Sequence, residues 1–204
     1  MDLTRYRKLT SSFAADILDQ FGVENSVIQI APLYPRANAV GPAMPVKVQS
    51  KPNAPIGLRE GMMNAVDASP KNSILVICSD TTRCSNWGGL TSRYAKLSGI
   101  AGVVVFGAVR DTADVEKLRL PVFTSNVTAV SGQKRVEVAS IGEPIDCGSV
   151  KIAKGDLVVA DRDSIVFVPA ALSREVLERA SRLTARERQA IMDMKKRLRH
   201  RATA

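Results

Sequence analysis

Residues 103–114 read VVVFGAVRDTAD, four apolar residues leading through Gly107 into an adjacent cation and carboxylate, Arg110 and Asp111. The apolar run, extended backwards as IAGVVVFG, reads as a buried strand, and TADVEKL after it as a short helix. Immediately upstream, WGGLTSRYAKLSG (87–99) reads as a helix that opens at glycines and closes at Gly99. Before that come the strand SILVICS (73–79) and a helix through GLREGMMNAVDA (57–68). Downstream, LPVFTS is a further strand. This alternation of helices and strands predicts an α/β fold with a mixed sheet.

The flanks complete the pattern. TSSFAADILDQFG predicts a first helix with Ser11 or Ser12 as its cap, Phe13, Ile17 and Phe21 on one face and Gly22 as its stop. NAVGPAMPVKVQS alternates Val46 and Val48 with polar residues, as a strand does. RVEVAS, DLVVA and SIVFVP read as short strands, the last two joined by a turn at Asp161–Asp163. A long helix, AALSREVLERASRLTARERQAIMDMKKRLRH, follows Pro169. The expectation is one domain over residues 1–204, an α/β core over 1–170 and a basic C-terminal helix over 171–204.

Composition narrows the chemistry. With 45% hydrophobic and 24% charged residues the chain reads as globular, and no apolar run approaches the roughly 20 residues that a bilayer requires. No apolar signal core stands at the N-terminus, and Cys78, Cys84 and Cys147 follow no metal-ligand spacing, so a reducing cytoplasm is expected. The net charge is +9, but residues 174–201 hold ten Lys or Arg against four acids, which places most of it in the last helix. That segment is either a solvated basic helix or a contact surface for an acidic partner or RNA. The one histidine, His200, lies at the basic end. Ser-His and Cys-His nucleophile pairs and His-rich zinc sites are therefore excluded. Catalysis would rest on carboxylates, Arg, Lys, Tyr, backbone amides or a hard metal bound through oxygen.

Two junctions carry candidate chemistry. At NWGGL (86–90), Gly88 and Gly89 open a helix, where backbone amides and the positive end of the helix dipole suit a carboxylate. At GAVRDTAD, Arg110 offers a planar pair of donors and Asp111 an oxygen ligand at a strand end, where open α/β sheets bind ligands. Either feature alone also fits a plain helix start or a helix-start ion pair, and Asp111 and Asp114 would be stabilised by the dipole without any metal.

Together these residues resemble the RraA-like family, which includes class II 4-hydroxy-4-methyl-2-oxoglutarate/4-carboxy-4-hydroxy-2-oxoadipate aldolases and the regulator of ribonuclease E activity. The family motif is an acid or glycine, twenty residues, then R-D-x-x-[DE]; here Gly89 precedes Arg110, Asp111 and Asp114 at that spacing. SSFAADILDQFG, VGPAMPVKV, WGGL, GIAGVVVFGAVRD, LPVF and GDLVVADRDSIVFVP are similar to family blocks in the same order, so the likeness covers roughly residues 10–170. The resemblance implies an α/β sandwich of the swivelling-domain type, assembled as a homotrimer or hexamer with sites between subunits. It implies that Arg110 and the amides of Gly88, Gly89 and Leu90 hold a short 2-oxo acid, and that Asp111 holds Mg²⁺ or Mn²⁺. Asp114 would stand behind it, and Glu187 of a neighbouring subunit's last helix would enter the site; Glu187 is otherwise a solvated partner for nearby arginines. The implied reaction is retro-aldol cleavage of a 4-hydroxy-2-oxo acid, or oxaloacetate decarboxylation, through a pyruvate enolate. The alternative is a non-catalytic ring-shaped binding protein similar to the ribonuclease regulator.

The chain departs from that pattern at three places. Gly89 stands where the aldolases commonly carry an acid, Phe106 where an acid is usual, and Thr124, Ser125 and Asn126 where Ala-Arg-Gly usually follows the PVF strand. A pocket lacking that Arg and that acid is expected to prefer a less charged substrate, or to catalyse nothing.

Overall fold

The first helix of the computed structural model, α1 (Ser11–Gln20), is capped by Thr10, whose hydroxyl accepts from the Phe13 amide at 3.3 Å. The cap is therefore neither Ser11 nor Ser12: Ser11 is fully buried, its amide and hydroxyl both donating to Asp161 at 2.7 and 2.6 Å. Described residues are 9–23, 27–28, 30–53 and 57–202, with the backbone alone at 27, 28, 181, 183–188 and 199–202. After α1 come β1 (Val27–Ile28), β2 (Ala31–Pro32), β3 (Ala39–Ser50), α2 (Leu58–Asp67), β4 (Ile74–Ser79) and β5 (Ser85–Trp87). Next are α3 (Gly89–Leu97), β6 (Gly102–Val109), α4 (Thr112–Leu118), β7 (Val122–Val127) and β8 (Val136–Ile141). The chain continues through β9 (Ile145–Cys147), β10 (Val150–Ile152), β11 (Leu157–Ala160), β12 (Ile165–Val168) and α5 (Ser173–Ala202).

Most strands join one curled mixed sheet in the order β1-β12-β11-β3-β4-β6-β7-β2, with β5 beside β6 and β8 beside β3. Strands β3, β4, β6 and β7 are mutually parallel and their connections cross over through helices, whereas β11 and β8 pair antiparallel with β3, and β12 pairs antiparallel with β11. The 12-residue β3 spans the curl. Its Ala39–Pro42 half pairs with β11, and its Ala43–Val48 half pairs with β4.

Period-two alternation sends successive side chains to opposite faces. On β6, Val103, Val105 and Val109 join the core under α2, α3 and α4, with Met62, Ala65, Ala95 and Val115. Val104 faces the other way, into a core with Phe123, Phe167 and the β9-β10 hairpin. A third core packs Ala14, Ile17 and Leu18 of α1 and Val176 and Ala180 of α5 on β11 and β12. Each fully buried Leu or Ile there contributes roughly 1.5–3 kcal/mol.

Several expectations shift. Phe13 and Phe21 are only half-buried, and the sealed face of α1 is Ala14, Ile17 and Leu18. Trp87 belongs to β5 rather than to the following helix. The last helix starts at Ser173, after a 3₁₀ turn at Ala170–Leu172. Its far end leaves Ile191, Met192, Met194 and Leu198 exposed. Glu187 sits in the stretch of α5 whose side chains lie outside the described residues.

Candidate active site

Two neighbouring parallel strands end side by side, and each feeds a helix. Trp87 closes β5 opposite Val109 of β6, and the Arg110 amide donates to the Trp87 carbonyl at 3.1 Å. Trp87 is itself buried, its indole donating to Ser92 Oγ at 2.7 Å, so it packs behind the site. Asn86 ties the pair further: its Oδ1 accepts from the Ala108 amide at 3.0 Å and its Nδ2 donates to Ser79 at 3.0 Å. Gly88 then opens α3, and Arg110 and Asp111 lead into α4.

Asp111 adopts a left-handed conformation, φ 58° and ψ 38°, which Asp tolerates better than most non-glycine residues. Its Oδ2 accepts from the Gly89 amide at 3.1 Å and lies 3.5 Å from Arg110 Nε. Both side chains are partly exposed, and such an ion pair contributes about 0–1 kcal/mol. The left-handed strain of about 1–2 kcal/mol is of similar or larger size, so stability alone does not account for the arrangement.

Side chains of the Arg110–Asp111 segment crowd both glycines, Gly88 more closely than Gly89. A Cβ at Gly88 would stand 2.9 Å from Asp111 Oδ2 and 3.1 Å from Arg110 Cγ; one at Gly89 would stand 3.2 Å from Asp111 Cβ and 3.5 Å from Asp114 Cβ. The extended φ of −167° at Gly88 would accept any residue, so the close approach is what selects glycine there. Of the three amides expected to bind a carboxylate, Gly88 donates to Thr91 Oγ1 at 3.2 Å and Gly89 to Asp111. Leu90 is exposed at the mouth. Asp114 is solvated, with its Oδ1 3.5 Å from Lys117 Nζ.

Arg110, Asp111, Gly88 and Leu90 border a small open cleft. Leu58, Arg59 and Met62 of α2 form another part of its lining, with Ser131, Gly132 and Gln133 from the segment before β8. These residues carry no motif, and only their position after folding reveals them. The Gln133 amide packs 3.1–3.2 Å from where a Cβ on Gly57 would sit. Its Oε1 is buried without a hydrogen-bond partner among the described residues, a state that costs roughly 1–3 kcal/mol when nothing fills it.

The departures at 106 and 124–126 fall elsewhere. Phe106 lies on the opposite face of β6, its ring centroid 6.3 Å from that of Phe167. Thr124 is buried with its hydroxyl donating to the Asn126 carbonyl at 2.8 Å, and Ser125 is exposed on β7; none of these residues lines the cleft.

No group of three or more His, Cys, Asp or Glu that could hold a metal occurs among the described residues. A hard cation that keeps much of its water needs only one or two protein carboxylates. Asp111 fits that role: only its Oδ2 is engaged, and its side chain is 43% exposed at the cleft. Among the described residues no helix is long and apolar enough to cross a membrane.

The RraA-like: Aldolase/RraA family profile matches residues 14–167. A relative from Halalkalibacterium halodurans, named "Putative 4-hydroxy-4-methyl-2-oxoglutarate aldolase", is 32% identical over 183 residues, covering 90% of this chain and 83% of that protein. An uncharacterized protein from Pseudomonas syringae pv. tomato has a crystal structure that superposes with a TM-score of 0.84 at 27% identity, over 95% of this chain and 88% of its own. That of Streptomyces coelicolor RraAS2, described as an unusual member of the RNase ES inhibitor RraA protein family, gives 0.82 at 25% identity, over 94% and 96%. The profile spans well over half of the chain and the folds agree along nearly all of it: the protein belongs to the RraA-like family.

Proposed function

We propose that the protein is a divalent-metal-dependent carbon–carbon lyase acting on a short 2-oxo acid. The observation that carries this reading is Arg110 beside a left-handed Asp111 at a strand end, both bordering the cleft with the amide-rich start of α3. Mg²⁺ or Mn²⁺ held by Asp111 would supply a Lewis acid for the 2-oxo carbonyl. Arg110 would grip the pyruvyl end through its two-pronged guanidinium and stabilise charge as it develops on the enolate oxygen. The Leu90 amide, with that of Gly89 once Asp111 turns away, would hold the carboxylate at the helix N-terminus.

Oxaloacetate decarboxylation breaks the C3–C4 bond, sends its electron pair into the pyruvate enolate, releases CO₂ and ends with a proton added at C3. Retro-aldol cleavage of a 4-hydroxy-2-oxo acid gives the same enolate but also needs a base for the C4 hydroxyl. Glycine at 89 supplies no such base, and Glu187 of a neighbouring copy, in a homotrimer or hexamer, is the candidate. Oxaloacetate is therefore the first substrate to assay. Pyruvate release should require Mg²⁺ or Mn²⁺, stop with EDTA and fall by roughly 10²-fold or more in Arg110→Ala. Absence of metal-dependent turnover across a panel of such acids would refute the proposal.

A second reading, a non-catalytic ring-shaped binding protein, is favoured by Gly89 and by the basic α5 with its exposed apolar residues. For that function Arg110→Ala would leave partner binding intact, and removing the residues after Arg186 would weaken it.

A further inference from the structure

We infer that Cys78 and Cys147 form a redox-active pair, a modification site at which a hydroperoxide oxidises the Cys78 sulfur and Cys147 then closes a reversible intramolecular disulfide with it. The site lies apart from the cleft, whose lining includes neither cysteine, and it depends on none of the chemistry proposed there.

Placement is the first reason. Cys78 stands near the end of β4, in register between Lys47 of β3 and Phe106 of β6, and Cys147 ends β9. Both belong to the core that holds the β9-β10 hairpin: Cys147 is buried in it, and Cys78 packs against it half-buried. The Cys78 thiol donates to the carbonyl of Asp146, the residue before Cys147, at 3.3 Å. It also lies within hydrogen-bonding reach of the Cys147 thiol. Two sulfurs thus meet across elements remote in sequence, one partly open to solvent and the other enclosed, which suits an accessible attacking thiol and a resolving partner beside it.

Electrostatics is the second. The Cys147 thiol donates to the Cys78 sulfur and Lys47 stands alongside, which together hold the Cys78 thiol below its ordinary value of 9.0 although burial and the Asp146 carboxylate oppose this. The same contact, with burial, raises the Cys147 thiol, so that it keeps its proton while Cys78 is the thiolate. Cys84 differs: it lies in the other core, beneath α2 to α4, where burial raises its thiol. The Cys78 thiolate attacks one oxygen of hydrogen peroxide, the O–O bond breaks, and the leaving hydroxide takes up the proton that Cys78 released; Cys78 becomes a sulfenic acid, oxidised by two electrons. The negative charge that held the Cys147 proton is then gone. The Cys147 sulfur attacks that of Cys78 and displaces hydroxide, which leaves as water with the Cys147 proton. In sum, two thiols and one peroxide give one disulfide and two waters. The bond ties the β9-β10 hairpin, a two-stranded sheet of its own, to the end of β4. Thiol exchange in a reducing compartment reverses it.

The test treats the full-length protein with a small molar excess of hydrogen peroxide, titrates its thiols in denaturant and maps its peptides without reduction. Of its three cysteines, wild type should lose two thiols, yield one linked pair of peptides that carry Cys78 and Cys147 of the same chain, and recover all three thiols with dithiothreitol. Cys84→Ser should form the same disulfide. Cys147→Ser should stop at a sulfenic acid on Cys78 that dimedone traps, and Cys78→Ser should keep both of its remaining thiols. Circular dichroism checks that each variant is folded; if Cys147→Ser is not, Cys147→Ala takes its place, and the wild-type peptide map decides by itself. The pairing is overturned if wild type keeps its three thiols, if the disulfide joins other cysteines or two chains, or if Cys78 passes to a sulfinic acid with no disulfide formed.

Discussion

At Gly88 the requirement is for space. A methyl group there would meet Asp111 Oδ2 at 2.9 Å, inside any normal contact, so either the carboxylate or the start of α3 must move. Gly88→Ala is therefore expected to lower turnover by roughly 10–10²-fold, since displacements of about 1 Å in a positioned site have effects of that size. The fold, whose core lies elsewhere, should persist by circular dichroism. Asp161 makes a different kind of contact. Burial opposes its ionisation, but the Ser11 hydroxyl and amide, with the amides of Asp163 and Ser164, outweigh it and hold the carboxyl below its ordinary value of 3.8. A depressed folded pKa contributes stability that is present above the ordinary value and is lost as pH falls through the folded one. Asp161→Ala should accordingly destabilise by about 1–3 kcal/mol at neutral pH. Denaturant titrations should show the gap to wild type narrowing below about pH 4.

At the level of elements, the parallel strands were legible because their apolar runs are buried on both faces: Ile74–Ile77 and Val103–Val105 are sealed. The site's first half was legible for a related reason, since Arg110 and Asp111 end such a strand, β6, and Gly88 and Gly89 show as a glycine pair opening a helix. Other elements carried too little pattern to read. β5 is three residues long and is held in part by Asn86, and β1 and β2 have two residues each. The β9-β10 hairpin turns on Gly148 at φ 64° followed by Ser149, a Gly-X turn whose short flanks hid it. The rest of the cleft was hidden because Arg59 and Gln133 reach it only through tertiary packing. One close approach places that segment: a Cβ on Gly132 would fall 2.1 Å from the Ser85 carbonyl. Gly132→Ala should destabilise by about 1–3 kcal/mol through forced backbone movement. It should also disturb ligand binding, because Ser131 and Gln133 move with it; a thermal melt and a calorimetric titration check the two effects separately.

For the molecule as a whole, the described core contacts of α5 come from its first turns, Val176 and Ala180 against β11 and β12. Truncation after Arg186 should shift the melting temperature by no more than a few degrees. The same truncation removes the exposed Ile191, Met192, Met194 and Leu198. Light scattering on the shortened chain will show whether that end carries assembly. β3 has a wider consequence. The same backbone pairs with β11, beneath the α1–α5 layer, and with β4, beneath α2 to α4. The two layers are thus joined through adjoining halves of one continuous strand, so the opening of either frees an end of the strand that the other depends on. The two should therefore exchange their protected amides with deuterium at a common rate set by global unfolding, with the amides of β3 among the last to go.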